Sequence, residues 1–182
     1  MPRFVAFLRA INVGGHVVKM ERLRKSFESL ALSGVETFIA SGNVVFTATA
    51  RNEKTLRKKI EAQLKTDLGY EVPAFLRSET ELARIAEQRV FPSAKIRDSS
   101  TLFIGFLGEK PKAANTKWLT DLRCKTDEFR LHGRELYWLC HVRFSDSAFT
   151  GAKLEKLLGQ PMTVRNINTV RRLAQKLAAP NE

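Results

Sequence analysis

The chain has 182 residues, 43% of them hydrophobic and 27% charged, a balance that fits a folded globular protein and excludes a disordered or fibrous one. No apolar run approaches the ~18 residues of a membrane span. The net charge of +12 draws such a chain toward nucleic acid, anionic surfaces and phosphorylated ligands, yet Lys and Arg are spread along it.

The first apolar run, Phe4 to Leu8, reads as the core of a strand over residues 3–9, entered directly from Met1-Pro2-Arg3 without the look of a signal peptide. Met20, Leu23, Phe27, Leu30 and Ala31 recur at helical spacing, so 20–32 is expected to be an amphipathic helix stopped by Gly34. Its Arg22-Leu23-Arg24-Lys25 segment, like Arg57-Lys58-Lys59 further on, reads as a solvated outer face. Val35 to Ala40 and Asn43 to Thr49 are β-rich and flank Ser41-Gly42-Asn43, a hairpin signal. Leu56, Ile60, Leu64 and Leu68 mark a second helix ending at Gly69. Glu71 to Arg77 reads as a strand whose Pro73 assigns it to a sheet edge.

This βαββαβ order over residues 3–77 is the ferredoxin-like pattern, with strand order 4-1-3-2 and the Pro-bearing strand at an edge. Ser78-Glu79-Thr80-Glu81 opens a further helix, its acids suited to the positive end. Residues 95–100 read as a polar linker and Thr101 to Leu107 as a central strand, followed by a helix at about 112–123. Glu128 to Leu131 and Arg134 to Cys140 flank His132-Gly133, a second hairpin candidate. Leu154, Leu157 and Leu158 suggest a short helix, and Val170, Leu173, Ala174 and Leu177 define the last one. The expected fold is α+β in two lobes: residues 1–78 ferredoxin-like, residues 79–182 a related, looser α/β sandwich with a C-terminal helix.

In that topology the end of the first strand and the hairpin between the second and third strands share one rim. Arg9, Asn12, Gly14 and Gly15 then approach Ser41, Gly42 and Asn43. Such a rim offers donors, bare backbone and a fixed positive charge, which suits phosphate or carboxylate. Tight turns also require Asn and Gly, and Arg9 can serve as a bracing donor, so a purely structural role stays open. A second polar group, Thr163 to Thr169, precedes the final helix. There Asn166 or Asn168 can cap the helix, leaving Arg165 by its positive end, where an anion would stabilise it.

No Rossmann or Walker glycine pattern is present, and the sequence implies no cofactor. His16, His132 and His141 lack metal-ligand spacing, Ser41 and Ser147 lack a nucleophile-elbow context, and no catalytic residue can be named. The segment Gly42 to Phe46 lacks the aromatic signature of an RNA-recognition sheet. Cys124 and Cys140, without Cys-x-x-Cys spacing, read as reduced thiols of a cytoplasmic protein.

Three segments carry a family likeness: Phe7-Leu8-Arg9-Ala10-Ile11-Asn12-Val13-Gly14-Gly15, Ser41-Gly42-Asn43-Val44-Val45-Phe46, and Thr163-Val164-Arg165-Asn166-Ile167-Asn168-Thr169-Val170. In this order and spacing the chain resembles the bacterial DUF1697 family of uncharacterised proteins. Arg172 stands where that family often has Lys. The resemblance spans nearly the whole chain and implies an α+β fold with ferredoxin-like subdomains. It implies no activity, substrate or cofactor.

The sequence therefore leads to a binder of an anionic or phosphorylated small molecule, with Arg9, Asn12, Gly14, Gly15, Ser41, Gly42, Asn43, Arg165 and Asn166 as candidate ligand residues. The alternatives are a basic nucleic-acid-binding module, or motifs that only brace the fold while function lies in a protein-partner surface. The sequence indicates no oligomeric state.

Overall fold

The structure, a computed structural model, describes residues 1–12, 14–39, 42–49, 52–96, 98–122 and 124–179. Ser41, a candidate ligand residue, and Val13 of the first motif lie outside them. The fold is α+β: eight strands in two four-stranded antiparallel sheets, with six α-helices among the described residues. The chain forms two units, one of residues 1–83 and 173–182, the other of residues 84–172.

In the first unit, β1 (Arg3–Leu8), β2 (Ser33–Thr37), β3 (Asn43–Thr47) and β4 (Ala74–Ser78) form a sheet of order β2-β3-β1-β4. This is the 4-1-3-2 order expected from the sequence, with β4 at an edge. The fourth strand begins at Ala74, just after Pro73, because proline has no N–H for the ladder. The Pro73 carbonyl is still used, accepting the Arg9 N–H at 3.0 Å. Phe4, Ala6, Leu8, Val44, Phe46, Ala74 and Leu76 form one buried face. Against that core lie Leu23 and Phe27 of α1 (Met20–Glu28) and Leu56, Ile60 and Leu64 of α2 (Glu53–Leu68). The opposite face is equally buried, with Val5, Phe7, Val45, Phe75 and Arg77 nearly inaccessible. Its cover within the unit includes the chain's end, where the Arg3 guanidinium donates to Leu177 O and Ala179 O at 2.6 Å each.

Helix α1 ends at Glu28, short of the expected residue 32. Ser29 Oγ donates to Ser26 O, and the Leu30 and Ala31 N–H groups donate to Phe27 O and Glu28 O, so the chain leaves in a tight three-residue turn. Serine competes with the helical ladder in this way. By contrast α2 stops at the glycine its sequence suggests, and an asparagine caps its start. Asn52 Oδ1 accepts the Thr55 N–H, and Gly69 closes the helix at φ +83°. A reciprocal capping box, Ser78 with Glu81, opens α3 (Glu79–Glu87).

The second unit's sheet contains β5 (Thr101–Leu107), β6 (Asp127–His132), β7 (Glu135–Cys140) and β8 (Met162–Asn166), in the order β6-β7-β5-β8. Strand β8 falls in a segment the sequence reading left without an element. Its alternation is real but interrupted by charge: Met162 and Val164 join the core, while Thr163 and Arg165 occupy the other face. The helix expected at about 112–123 is instead a one-turn 3-10 helix, Ala113–Asn115, followed by the short α4 (Lys117–Asp121). Gly133 makes the expected β6–β7 turn at φ +62°. Then α5 (Gly151–Leu158) packs Leu154 and Leu158 into the core, and α6 (Ile167–Ala178) is the last helix.

The two sheets repeat each other in detail. Phe4-Val5-Ala6-Phe7-Leu8 of β1 matches Phe103-Ile104-Gly105-Phe106-Leu107 of β5. Val5 pairs with Arg77, and Ile104 at the same register pairs with Arg165. Each central strand thus meets a buried arginine on its edge neighbour.

Candidate functional site

The first motif and the β2–β3 turn do share a rim. Phe7 pairs with Asn43, and the Leu8 N–H donates to Gly42 O at 2.8 Å. Gly42, at φ +75°, sits so close to the loop that a β-carbon there would lie 2.9 Å from Ile11 Cβ. Arg9 follows β1 directly, half-buried, its N–H held by Pro73 O. The Tyr70 hydroxyl donates to Ala10 O at 3.4 Å, and the His16 ring stacks on Tyr70 with centroids 4.0 Å apart.

Two rim asparagines have bracing roles. Asn12, at φ +55°, accepts the Val18 N–H on Oδ1 at 2.7 Å and ties the loop across itself. Asn43 is fully buried and donates from Nδ2 to Phe38 O, while its own carbonyl accepts the Phe38 N–H. Gly14 and Gly15 differ from both. They are exposed at φ +60° and +85°, and a β-carbon on either would meet nothing within 4 Å. Ala10 and Ile39 add left-handed backbone at φ +63° and +58°. Non-glycine residues reach that region at a cost and concentrate where a loop is held for a purpose.

Arg165 and Asn166 belong to the second unit. Arg165 is buried, donating to Thr163 Oγ1 at 2.7 Å and Val164 O at 2.9 Å, and burial pushes its guanidinium down to about 10. Asn166 Oδ1 accepts the Asn168 N–H at 2.8 Å, which makes it the cap of α6.

Two constellations in the second unit escaped the sequence reading. Asp127 is 1% exposed and gathers the Trp138 Nε1–H and Ser147 Oγ–H on one oxygen, both at 2.7 Å. Thr126 Oγ1–H and the Ala148 N–H bind its other oxygen. Burial pushes this carboxyl up, but the combined hydrogen bonds outweigh it and hold it below the usual range. The second constellation joins Ser100, His141, Glu128 and Lys95. Ser100 Oγ lies 2.8 Å from His141 Nδ1, and His141 Nε2 lies 3.2 Å from Glu128 Oε1. Lys95 Nζ donates to Glu128 Oε2 at 2.6 Å. Strand register assembles the group, since both Thr101 and Asp127 pair with Cys140, leaving Ser100, Thr126 and His141 at one end of the sheet. Sequence spacing gives no signal for it, because Ser100 and His141 are 41 positions apart.

The family described as "Protein of unknown function (DUF1697)" matches residues 1–137. The chain belongs to the DUF1697 family. Both rim segments, Arg9 to Gly15 and Ser41 to Asn43, fall inside the matched stretch, as do Ser100 and Glu128. A solved structure, that of the conserved bacterial protein SP0830 from Streptococcus pneumoniae, is similar over 98% of this chain and 99% of that one. Its TM-score is 0.76 and its sequence identity 26%. No curated protein matches the chain significantly. Among the described residues, no helix of this family member is long and apolar enough to cross a membrane.

Proposed function

We propose that the protein binds an anionic, phosphate-bearing small molecule on the rim of its first unit. The observation that carries this reading is the exposed, left-handed Gly14-Gly15 pair on a loop otherwise pinned at Arg9, Ala10, Asn12 and Ile11. A loop fixed before binding loses little entropy on binding, and bare backbone at its tip lets an anion approach N–H groups closely. Arg9 supplies the adjacent charge, Gly42 the close approach of turn to loop, and the net charge of +12 a favourable field. Asn12 and Asn43 act by shaping the rim. Arg165 and Asn166 already serve Thr163, Val164 and the start of α6, so the ligand is assigned to first-unit residues.

The strand order 4-1-3-2 supports reading the first lobe as a ferredoxin-like βαββαβ unit. Two free thiols, Cys124 and Cys140, support a cytoplasmic protein.

The test is a thermal-shift and calorimetric titration with inorganic phosphate, AMP and ATP. A ligand at ~100 times its Kd should stabilise the fold by ~2.7 kcal/mol, and Arg9→Ala should remove the effect. Absence of any shift with all three ligands overturns the reading.

A further inference from the structure

We propose that Ser100, His141 and Glu128 form a nucleophile–base–carboxylate triad that hydrolyses small carboxylic esters. The proposal stands apart from the rim, since every residue in it belongs to the second unit.

The partners of the ring favour one arrangement of protons. A carboxylate can only accept, so the His141 Nε2 facing Glu128 Oε1 carries the hydrogen. In a neutral ring Nδ1 then holds the lone pair, and the Ser100 hydroxyl 2.8 Å away points its hydrogen at it. This is the protonation state that base-assisted attack requires. Lys95 Nζ donates to the second oxygen of Glu128 at 2.6 Å, which favours the orientation facing the ring. The Lys95 hydrogen bond also keeps this carboxyl below the usual range, against the opposing effect of burial. The His141 side chain is only 5% exposed, so bulk water does not compete for either nitrogen.

A cavity of about 530 Å³ shares Lys95 and Glu128 with this group and is lined also by Cys124, Asp127, Phe129 and Arg130. Its volume is in the range of small-molecule sites.

In the first step Ser100 Oγ bonds to the acyl carbon while its proton passes to His141 Nδ1. The carbon–oxygen bond to the leaving alcohol breaks, and His141 returns the proton to that oxygen. Water then attacks the acyl-serine, giving one proton to His141, which restores it to Ser100 as the carboxylic acid leaves. One ester and one water become one acid and one alcohol. Ser100 is the nucleophile and His141 the base; Glu128 is a positioning residue that acts through the ring.

The test treats the full chain with a fluorophosphonate and, separately, with p-nitrophenyl acetate and the anionic p-nitrophenyl succinate. The expected result is one stoichiometric adduct on Ser100 by peptide mass spectrometry and turnover of both esters. Ser100→Ala should abolish both, and His141→Ala should slow labelling by ~100-fold or more. Glu128→Gln should slow labelling, and Glu128→Asp, which keeps a carboxylate for the ring, should restore part of the rate. A folded wild-type protein that takes no label at Ser100 overturns the proposal, as does labelling indifferent to His141→Ala. The wild-type measurement depends on no variant, so a folding defect in one cannot rescue the idea.

Discussion

Gly42 packs directly against Ile11: a β-carbon on residue 42 would stand 2.9 Å from Ile11 Cβ and 3.2 Å from Leu8 Cβ. The contact joins the β2–β3 turn to the loop after β1, and it exists only because residue 42 has no side chain.

Gly42→Ala therefore meets two penalties, a φ of +75° and a clash with packed aliphatic carbons. The expected loss is about 3 kcal/mol. Gly69→Ala is the control, since it has φ +83° but open space and should lose only about 1 kcal/mol. Urea unfolding of both variants measures the difference. Equal losses would show that the Ile11 contact contributes nothing.

Asn12 has two separable roles, its left-handed backbone and the Oδ1 bond from the Val18 N–H. Asn12→Ala should lose about 2 kcal/mol and Asn12→Gly about 1 kcal/mol, because glycine restores the backbone freedom alone. Denaturant midpoints compare them. If the glycine variant is the weaker of the two, the backbone is not what asparagine provides here.

The Asp127 carboxyl is held below its unfolded value, near 3.9, so as the pH falls the unfolded chain takes up the proton first. Its contribution to stability is complete above that unfolded value and is lost as the pH drops through the lower folded one. Asp127→Asn should cost about 2 kcal/mol at pH 7, with the gap to wild type closing below pH ~4. Thermal melts from pH 3 to pH 7 follow this gap. A constant difference across the range would mean that the charge is not what Trp138, Ser147 and Thr126 hold.

The two thiols should differ in reactivity. Cys140 is buried, burial pushes its thiol up, and its Sγ–H donates to Val142 O. Cys124 is half-buried beside the cavity that Lys95 and Glu128 line. Alkylation at pH 8 followed by peptide mapping should modify Cys124 in the native protein, with Cys140 reacting only in denaturant. Native alkylation of Cys140 would contradict its place in the core.

What the sequence determined by itself was local order and its immediate topological consequence. Alternating and helical hydrophobic periods, Pro73, Gly69 and Gly133 located most elements, since periodicity and turn chemistry act over a few residues. The βαββαβ order then brought the end of β1 beside the β2–β3 turn, where Leu8 and Ile11 meet Gly42 and Phe7 pairs with Asn43, because few antiparallel topologies accommodate it. Tertiary structure decided the rest. It paired β8 with β5 despite the polar Thr163, Arg165 and Asn166, as an edge partner and a buried face outweighed a weak local pattern. Packing buried Arg165, which the sequence set at an open helix end. It also brought Ser100, Glu128 and His141 to one sheet end through the combined registers of β5, β6 and β7. Register depends on how three strands align at once, and no spacing within a single chain segment encodes it.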